Sequence, residues 1–554
     1  MNLKYVIKNI MPAAVMVLSL GLNSCTKDLD VEPIDPSKDT TVDPQKLFNK
    51  CYAEFVLEGY DLGSSELDLG DSGLSVLYRL MWNANELTTD EALCGWTDKG
   101  IADFDYNTYT ANNDCLYGFY WRLCLGVSLC NQYLKECAEY DETMTAEVHF
   151  LRAMYYYYLL DNYGNPSFTE TVSSDNPRQI ESAELYAWLV NDLEENMGKM
   201  LTPSVRKKGE TNYGRADQSA AWMLLARLHL NAEKYCGTPH WSEAKTYAEK
   251  VIKESGRSIW LGDNPSMHTS ANGLLSAYQM LFMADNDSSG AMNEAVFSFV
   301  MDGANTASWG GSTFLFASTW DSYMVANYPQ SSNQAWGGNR VRVDLLKKFI
   351  STDRLDALDD WSTETIVDAA GDDRALFFGD NADGKGQVKD RKYTNDVLAT
   401  FTEGFATTKY QSNRSDGGPV SDPSQTDNDI FVMRLAEAYL IFAEAEARAA
   451  GSTTTQAAGT GYINELRERA NNAIQKSSYT LDEVLDERSR ELYFEGLRRT
   501  DLIRYGYFGG NTSYTWQWKG GVQAGGKFEA YRNIFPLPST ELGANTNLKQ
   551  NPGY

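Results

Sequence analysis

Ala146-Glu147-Val148-His149-Phe150-Leu151-Arg152-Ala153-Met154-Tyr155-Tyr156-Tyr157-Tyr158-Leu159-Leu160-Asp161-Asn162-Tyr163-Gly164 is the stretch that decides the fold class. Ala146, Phe150, Ala153, Tyr157 and Leu160 recur at the spacing of one helix face, and Gly164 and Pro166 stop the run. Ala221, Leu224, Leu225 and Leu228 repeat the pattern on a second helix. A third, Trp241 to Ile252, follows a turn at Gly237 and Pro239. Small residues on paired helices of this length resemble a tetratricopeptide unit, although its full consensus is absent. Helical signals return late in the chain. Leu435, Ala438, Tyr439, Phe442 and Ala445 share a face. Thr480 and Glu483 form a capping box ahead of Leu481, Val484, Leu485 and Leu492, and the predicted helix runs on until Gly506 and the Gly509-Gly510 pair.

Between these parts, residues 260–430 lose periodicity and fill with Gly, Ser, Asn, Asp and scattered aromatics. Long ordered loops and short strands are expected there, the kind of segment that carries binding residues. The expected fold is therefore mostly α: a TPR-like helical-repeat scaffold with a loop-rich insert carrying short strands. The expected boundaries are a signal peptide over 1–24, a tether over 25–44, an N-terminal helical part over 45–259, the insert over 260–430 and a C-terminal helical part over 431–554. Neither helical part buries its apolar faces alone, so the two are expected to share one scaffold.

The first residues read as an address. Lys4 and Lys8 precede an apolar run from Ile10 to Leu22, shorter than the roughly 20 residues that cross a bilayer. Leu22-Asn23-Ser24-Cys25 resembles a bacterial lipobox, which would make Cys25 the acylated N-terminus. An ordinary secretory signal containing a Cys is the other reading. Thr26-Lys27-Asp28-Leu29-Asp30 places acidic residues after the anchor, resembling a surface-export tag. Pro33, Pro36 and Pro44 mark an extended tether. A formal charge of −27 argues against nucleic-acid binding by phosphate neutralisation. Seven further cysteines, an odd number with no C-x-x-C, give no zinc or thioredoxin signal, and Cys124 and Cys130 read as small buried hydrophobes.

Several segments together resemble the SusD/RagB family of outer-membrane nutrient-binding lipoproteins. They are His149–Ala153 through Gly164, Gly214-Arg215-Ala216 through Leu230, Arg434–Leu440, Asn464–Arg467, Glu491 through Asp501, and Phe535-Pro536-Leu537-Pro538, in family order over nearly the whole mature chain. In the insert, Phe282–Asp287, Gly310–Thr313, Ala369–Leu376 and Arg414–Gly417 resemble the starch-binding branch of that family. The resemblance implies a lipid-anchored protein on the outer membrane, facing the cell exterior. It would capture oligosaccharides, α-glucans first, and hand them to a SusC-like TonB-dependent transporter.

Sugars present a C–H face that stacks on aromatic rings and hydroxyls that need polar partners. The 33 Tyr, 22 Phe and 13 Trp suit such a surface. Trp96 in Cys94-Gly95-Trp96-Thr97-Asp98, Trp309 before Gly310-Gly311, and Trp336 before Gly337-Gly338 lie in loops whose glycines would let a ligand approach closely. The resemblance places these three on the family's aromatic arc, with Tyr in place of Trp309 in the starch-binding member. It also places Arg79 on a glycan-bonding Arg. Asp98 is a candidate acidic group at the platform edge. Lys99 stands where the family has Asn, and Cys94 where it has a second Trp, so the glycan itself stays open between α-1,4- and α-1,6-linked glucans. Trp320, Trp516 and Trp518 are expected to be structural.

Asp285-Asn286-Asp287 with Glu294 offers clustered oxygens for calcium, although an EF-hand glycine is missing. An acidic turn is the plainer reading. The resemblance implies a structural Ca2+ in this segment, with Asp429 as a distant contributor. Four histidines and the absence of H-E-x-x-H, G-x-S-x-G, Walker or dinucleotide motifs argue against an enzyme. Two rival classes remain at this stage: a surface glycoside hydrolase, since paired carboxylates are not identifiable among 76 acids, and a TPR-like protein-binding adaptor.

Overall fold

In the computed structural model, the helix expected from Ala146 begins a turn earlier, at Glu142. Asp141 caps it by accepting the Met144 N–H at 2.7 Å, and Gly164, at φ +69°, ends it. The structure describes residues 42–262, 269–270, 273–380, 391, 404–510, 516, 519 and 524–554. Cys25, the signal peptide over 1–24, most of the tether and Trp518 lie outside the described residues.

The helices that build the scaffold and carry the site are α1 (Pro44–Ala53), α2 (Leu77–Glu86), α3 (Asp114–Glu136), α4 (Glu142–Tyr163), α5 (Ser182–Asn196), α6 (Gln218–Leu230), α7 (Trp241–Glu254), α8 (Ser312–Ala317), α9 (Leu435–Ala449), α10 (Ala457–Arg469), α11 (Leu481–Leu492) and α12 (Arg498–Arg504). Pro44, expected to end a tether, instead opens α1, where its missing N–H costs nothing. Helix α3 packs on α4 and on α2, and α1 packs against both α3 and α4. Helices α6 and α7 form the helix–turn–helix expected from sequence, with a short helix, Ala232–Cys236, before the turn at Gly237. The C-terminal α9 packs against both α6 and α7, and also against α10 and α11. The two helical parts thus close one core between them. Helix α4 is buried almost all round: Phe150, Leu151, Tyr155 and Leu159 are each at most 1% exposed. Each such side chain contributes roughly 1.5–3 kcal/mol of transfer free energy. Among the described residues no helix is long and apolar enough to cross a membrane.

The central segment contains short helices as well as the expected loops and strands, including α8 and Thr363–Ala370. The strands that hold it pair in twos with strands from the flanking parts. β1 (Ala92–Cys94), β2 (Ala295–Phe299), β3 (Asn339–Val341) and β4 (Ile430–Arg434) form the antiparallel pairs β1–β3 and β2–β4. The β2 strand seats the segment on the scaffold. Phe297 meets Phe150 of α4 edge-on at 5.3 Å, and Phe299 stacks on Phe55 at 4.7 Å.

A buried ionic cluster ties the same segment to the C-terminal helices. Glu491 of α11 accepts from Arg434 at 2.9 Å and from Arg374 at 3.1 Å, and also from Arg469 of α10. Burial alone would raise the Glu491 carboxyl; Arg469, Arg434 and Arg374 outweigh it and hold the group down at about 2. The same network explains why the helix predicted through Gly506 breaks after Leu492. The Phe494 carbonyl is taken by Trp82 Nε1 at 2.9 Å and the Tyr410 hydroxyl at 3.1 Å, and the Tyr493 carbonyl by Lys409 Nζ at 2.6 Å. Phe494 stands at φ +63°, and α12 starts afresh at Arg498. Tertiary donors replace the helical ladder there, which periodicity does not reveal. The Thr480–Glu483 capping box itself forms as expected. All seven described cysteines are free thiols; Cys130 is buried and Cys124 half-buried.

Candidate functional site

Trp96 follows β1 and Trp336 precedes β3, so one short antiparallel ladder unites two rings that are 240 residues apart in the chain. Cys94 pairs with Asn339, and the Gly95 N–H donates to the Gly338 carbonyl at 2.9 Å. Trp336 is anchored further by donating its backbone N–H to Ala317 of α8 at 2.9 Å, and its indole Nε1 to Gln334 at 2.8 Å. Trp309 enters on the other side. Its backbone N–H donates to Glu58 at 2.6 Å.

The three indoles form one continuous row. Trp336 lies in the middle, 6.4 Å from Trp96 at an interplanar angle of 53°, and 6.1 Å from Trp309 at 49°. All three are half-buried. Neighbouring rings are inclined to one another by about the same angle, so the surface they make is not flat. Arg79, the third residue of α2, is buried against Trp96. Its guanidinium carbon is 4.9 Å from the Trp96 ring centre and 5.1 Å from that of Phe314. Of its donors only Nη1 finds a hydrogen-bond acceptor among the described residues, Asp71 at 3.3 Å. Phe314 and Asp71 were not singled out from sequence. Phe314 looks like any core aromatic of a short helix, and Asp71 carries no pattern linking it to Arg79.

Two of the glycines flanking the tryptophans also have a packing role within the protein, which the sequence reading did not include. Gly338 stands at φ +105°, and a Cβ there would come within 2.1 Å of the Trp96 indole nitrogen. A Cβ on Gly310 would strike the Gly73 carbonyl at 2.3 Å. Glycine lets the loops close tightly enough to align the rings.

The remaining edge residues are not drawn into this row. Lys99 is exposed, its ammonium 2.6 Å from Asp114. Asp98 is half-buried; its carbonyl accepts the Ile101 N–H at 3.1 Å, and its carboxylate makes no hydrogen bond with the described residues. Beneath Trp96, the buried Asp105 carboxylate accepts the Cys94 N–H at 3.2 Å. Burial pushes its carboxyl up to about 7, with Lys519 and Arg342 pulling the other way. Trp320 and Trp516 are each 2% exposed, and their indole N–H groups donate to Tyr410 at 2.9 Å and Tyr507 at 3.2 Å, as core tryptophans do.

The four carboxylates considered for calcium do not fit one cage. Glu294 faces the arginine cluster, accepting from Arg469 at 2.6 Å and from the Trp260 N–H at 2.8 Å. Both oxygens of Asp285 are engaged by Ser415, at 2.8 and 2.6 Å. Asp429 accepts from the Tyr213 hydroxyl at 2.6 Å and the Met301 N–H at 2.9 Å. The Asp287 carbonyl accepts the Lys208 N–H at 3.0 Å, and the Lys208 ammonium lies 3.1 Å from the Asp287 carboxylate and 3.3 Å from that of Asp302. Among the described residues, no three His, Cys, Asp or Glu side chains converge at metal-binding distances. A lysine supplies the positive charge next to Asp287.

The fold and the row of rings together define a SusD-like protein, a helical-repeat scaffold that displays an aromatic surface on its loop-rich part. The SusD family model matches residues 293–554. The chain is 36% identical to the Starch-binding protein SusD of Bacteroides thetaiotaomicron over 588 aligned positions, covering 100% of both chains. It belongs to the SusD family. Among solved structures, a SusD superfamily protein from Parabacteroides distasonis superposes with a TM-score of 0.65 at 19% identity, over 92% of this chain and 98% of that one. Surface glycan-binding protein A from Bacteroides thetaiotaomicron, in complex with laminarihexaose, superposes with a TM-score of 0.64 at 20% identity, over 92% and 98%. At these identities the two superpositions speak to the fold.

Proposed function

We propose that this chain is a cell-surface glycan-binding lipoprotein that captures oligosaccharides on the Trp96–Trp336–Trp309 platform and does not cleave them. The observation that carries the reading is the row itself: three half-buried rings about 6 Å apart, neighbours inclined to one another by some 50°. Coplanar rings suit a flat glycan ribbon. Rings inclined to one another suit a chain whose successive sugar faces also turn, as in a helical α-1,4-glucan. The name of the full-length relative, a starch-binding protein, supports the same choice. The buried Arg79 guanidinium, 4.9 Å from the Trp96 ring centre, backs that ring and holds it in the row.

Lipidation at Cys25 would hold the protein on the outer membrane facing the exterior, and a SusC-like TonB-dependent transporter would take the captured oligosaccharide. Family membership supports this placement. The binding test is titration of the full-length protein with α-1,4-, α-1,6- and β-linked glucan oligosaccharides, with a reducing-sugar assay run in parallel. Saturable heat with the α-1,4-linked series and no new reducing ends is expected. Release of reducing sugar, or binding confined to another linkage, would overturn the reading.

A further inference from the structure

The segment between α1 and α2 carries an aromatic side chain that the platform does not use. Tyr60 is 96% exposed, and Leu62, two residues on, is 47% exposed. Neither packs on the core, yet the turn that bears them is cross-braced. The Glu58 carboxylate, itself 2% exposed, accepts two N–H groups at once: that of Gly63 at 2.6 Å, which closes the turn, and that of Trp309 at 2.6 Å, which joins the turn to the platform. Asp61 and Ser64 add reciprocal bonds, Asp61 N–H to Ser64 Oγ at 3.0 Å and Ser64 Oγ to the Asp61 carbonyl at 2.7 Å. The turn is tied at its base as well, since the Glu58 carbonyl accepts from the buried Arg122 guanidinium.

A buried acid has one carboxylate, and here it is divided between a surface turn and the backbone of Trp309. That arrangement fixes Tyr60 relative to the outer end of the tryptophan row. Two residues, at most about 7 Å of chain, separate Tyr60 from Glu58. The ring is held out on a stiff turn, so a ligand that stacks on it loses little conformational freedom of the protein. We propose that Tyr60 is an outer glycan subsite, extending the platform past Trp309 and contacting only oligosaccharides long enough to overrun the three tryptophans. The inference rests on the proposed α-glucan reading, and its occupant is the next sugar units of the same chain.

The test compares a short and a long α-1,4-glucan, the trimer and the heptamer, by calorimetric titration of full-length wild type, Tyr60→Ala, Tyr60→Phe and Trp336→Ala. Trimer affinity should be unchanged in both Tyr60 variants. Heptamer affinity should fall about five- to tenfold in Tyr60→Ala, the value of one aromatic contact, and be kept in Tyr60→Phe, which retains the ring. Melting temperatures of the Tyr60 variants should match wild type, since the side chain touches nothing. If Tyr60→Ala binds the heptamer as wild type does while Trp336→Ala loses both ligands, the subsite is refuted and the platform stands. If wild type binds neither ligand, the α-glucan reading fails and the subsite with it.

Discussion

Replacing Trp336 by alanine separates a binding surface from a core plug. Its ring is the central one, in contact with both Trp309 and Trp96, so its loss divides the row into two isolated rings. An anchor tryptophan contributes roughly 2 kcal/mol or more to affinity, about thirtyfold. A polysaccharide held weakly at one site would then escape detection. The stability cost should be smaller than for a core residue, because Trp336 is only half-buried. We expect about 1–2 kcal/mol, against roughly 3–5 kcal/mol for a fully buried tryptophan. At about 2.1 cal/mol/K per residue, a chain of 554 residues shifts its Tm by about 1 °C per kcal/mol. Trp320 is the internal control: 2% exposed, with its indole N–H on the Tyr410 carbonyl. Affinity electrophoresis in α-glucan gels, with scanning calorimetry of the same samples, should show Trp336→Ala losing retardation with a Tm drop of about 1–2 °C. Trp320→Ala should keep retardation and drop by about 3–5 °C. Wild-type retardation of Trp336→Ala would falsify the platform.

Three further outcomes are expected. Asp105→Asn preserves the acceptor for the Cys94 N–H but cannot ionise. The wild-type carboxyl is raised by burial to about 7, so the stability linked to its protonated form is present at low pH and is lost as pH rises through about 7. Denaturation midpoints should therefore show wild type losing up to a few kcal/mol relative to the variant between about pH 4 and pH 8, and parallel pH profiles would refute the assignment. Cys25→Ala should release the protein from outer-membrane fractions and abolish fatty-acid labelling; a variant still labelled and still sedimenting with membranes would exclude the lipobox. With Lys208 already beside Asp287, exhaustive chelation followed by added calcium should leave the Tm within about 1 °C, and a rise of several degrees would show that the ion displaces the ammonium.

The sequence alone determined the helical class, because the apolar residues of 146–160 and 435–445 repeat with the helix period and their neighbours cap or break the run. It also determined that Trp96, Trp309 and Trp336 are loop residues rather than members of a buried helix face. Local chemistry of that kind is written in adjacent residues. What only the tertiary structure decided involves partners far apart in the chain. The β1–β3 ladder sets Trp96 against Trp336, and the missing Cβ at Gly338 makes room for the Trp96 indole. Donors from residues 82, 409 and 410 stop a helix at Leu492 that periodicity would continue. Glu294, which shares a sequence neighbourhood with Asp285 and Asp287, is drawn away by Arg469. In each case a buried polar group or ring must be satisfied by whatever the folded chain brings to it, and that choice is made in three dimensions, where sequence spacing carries no record of it.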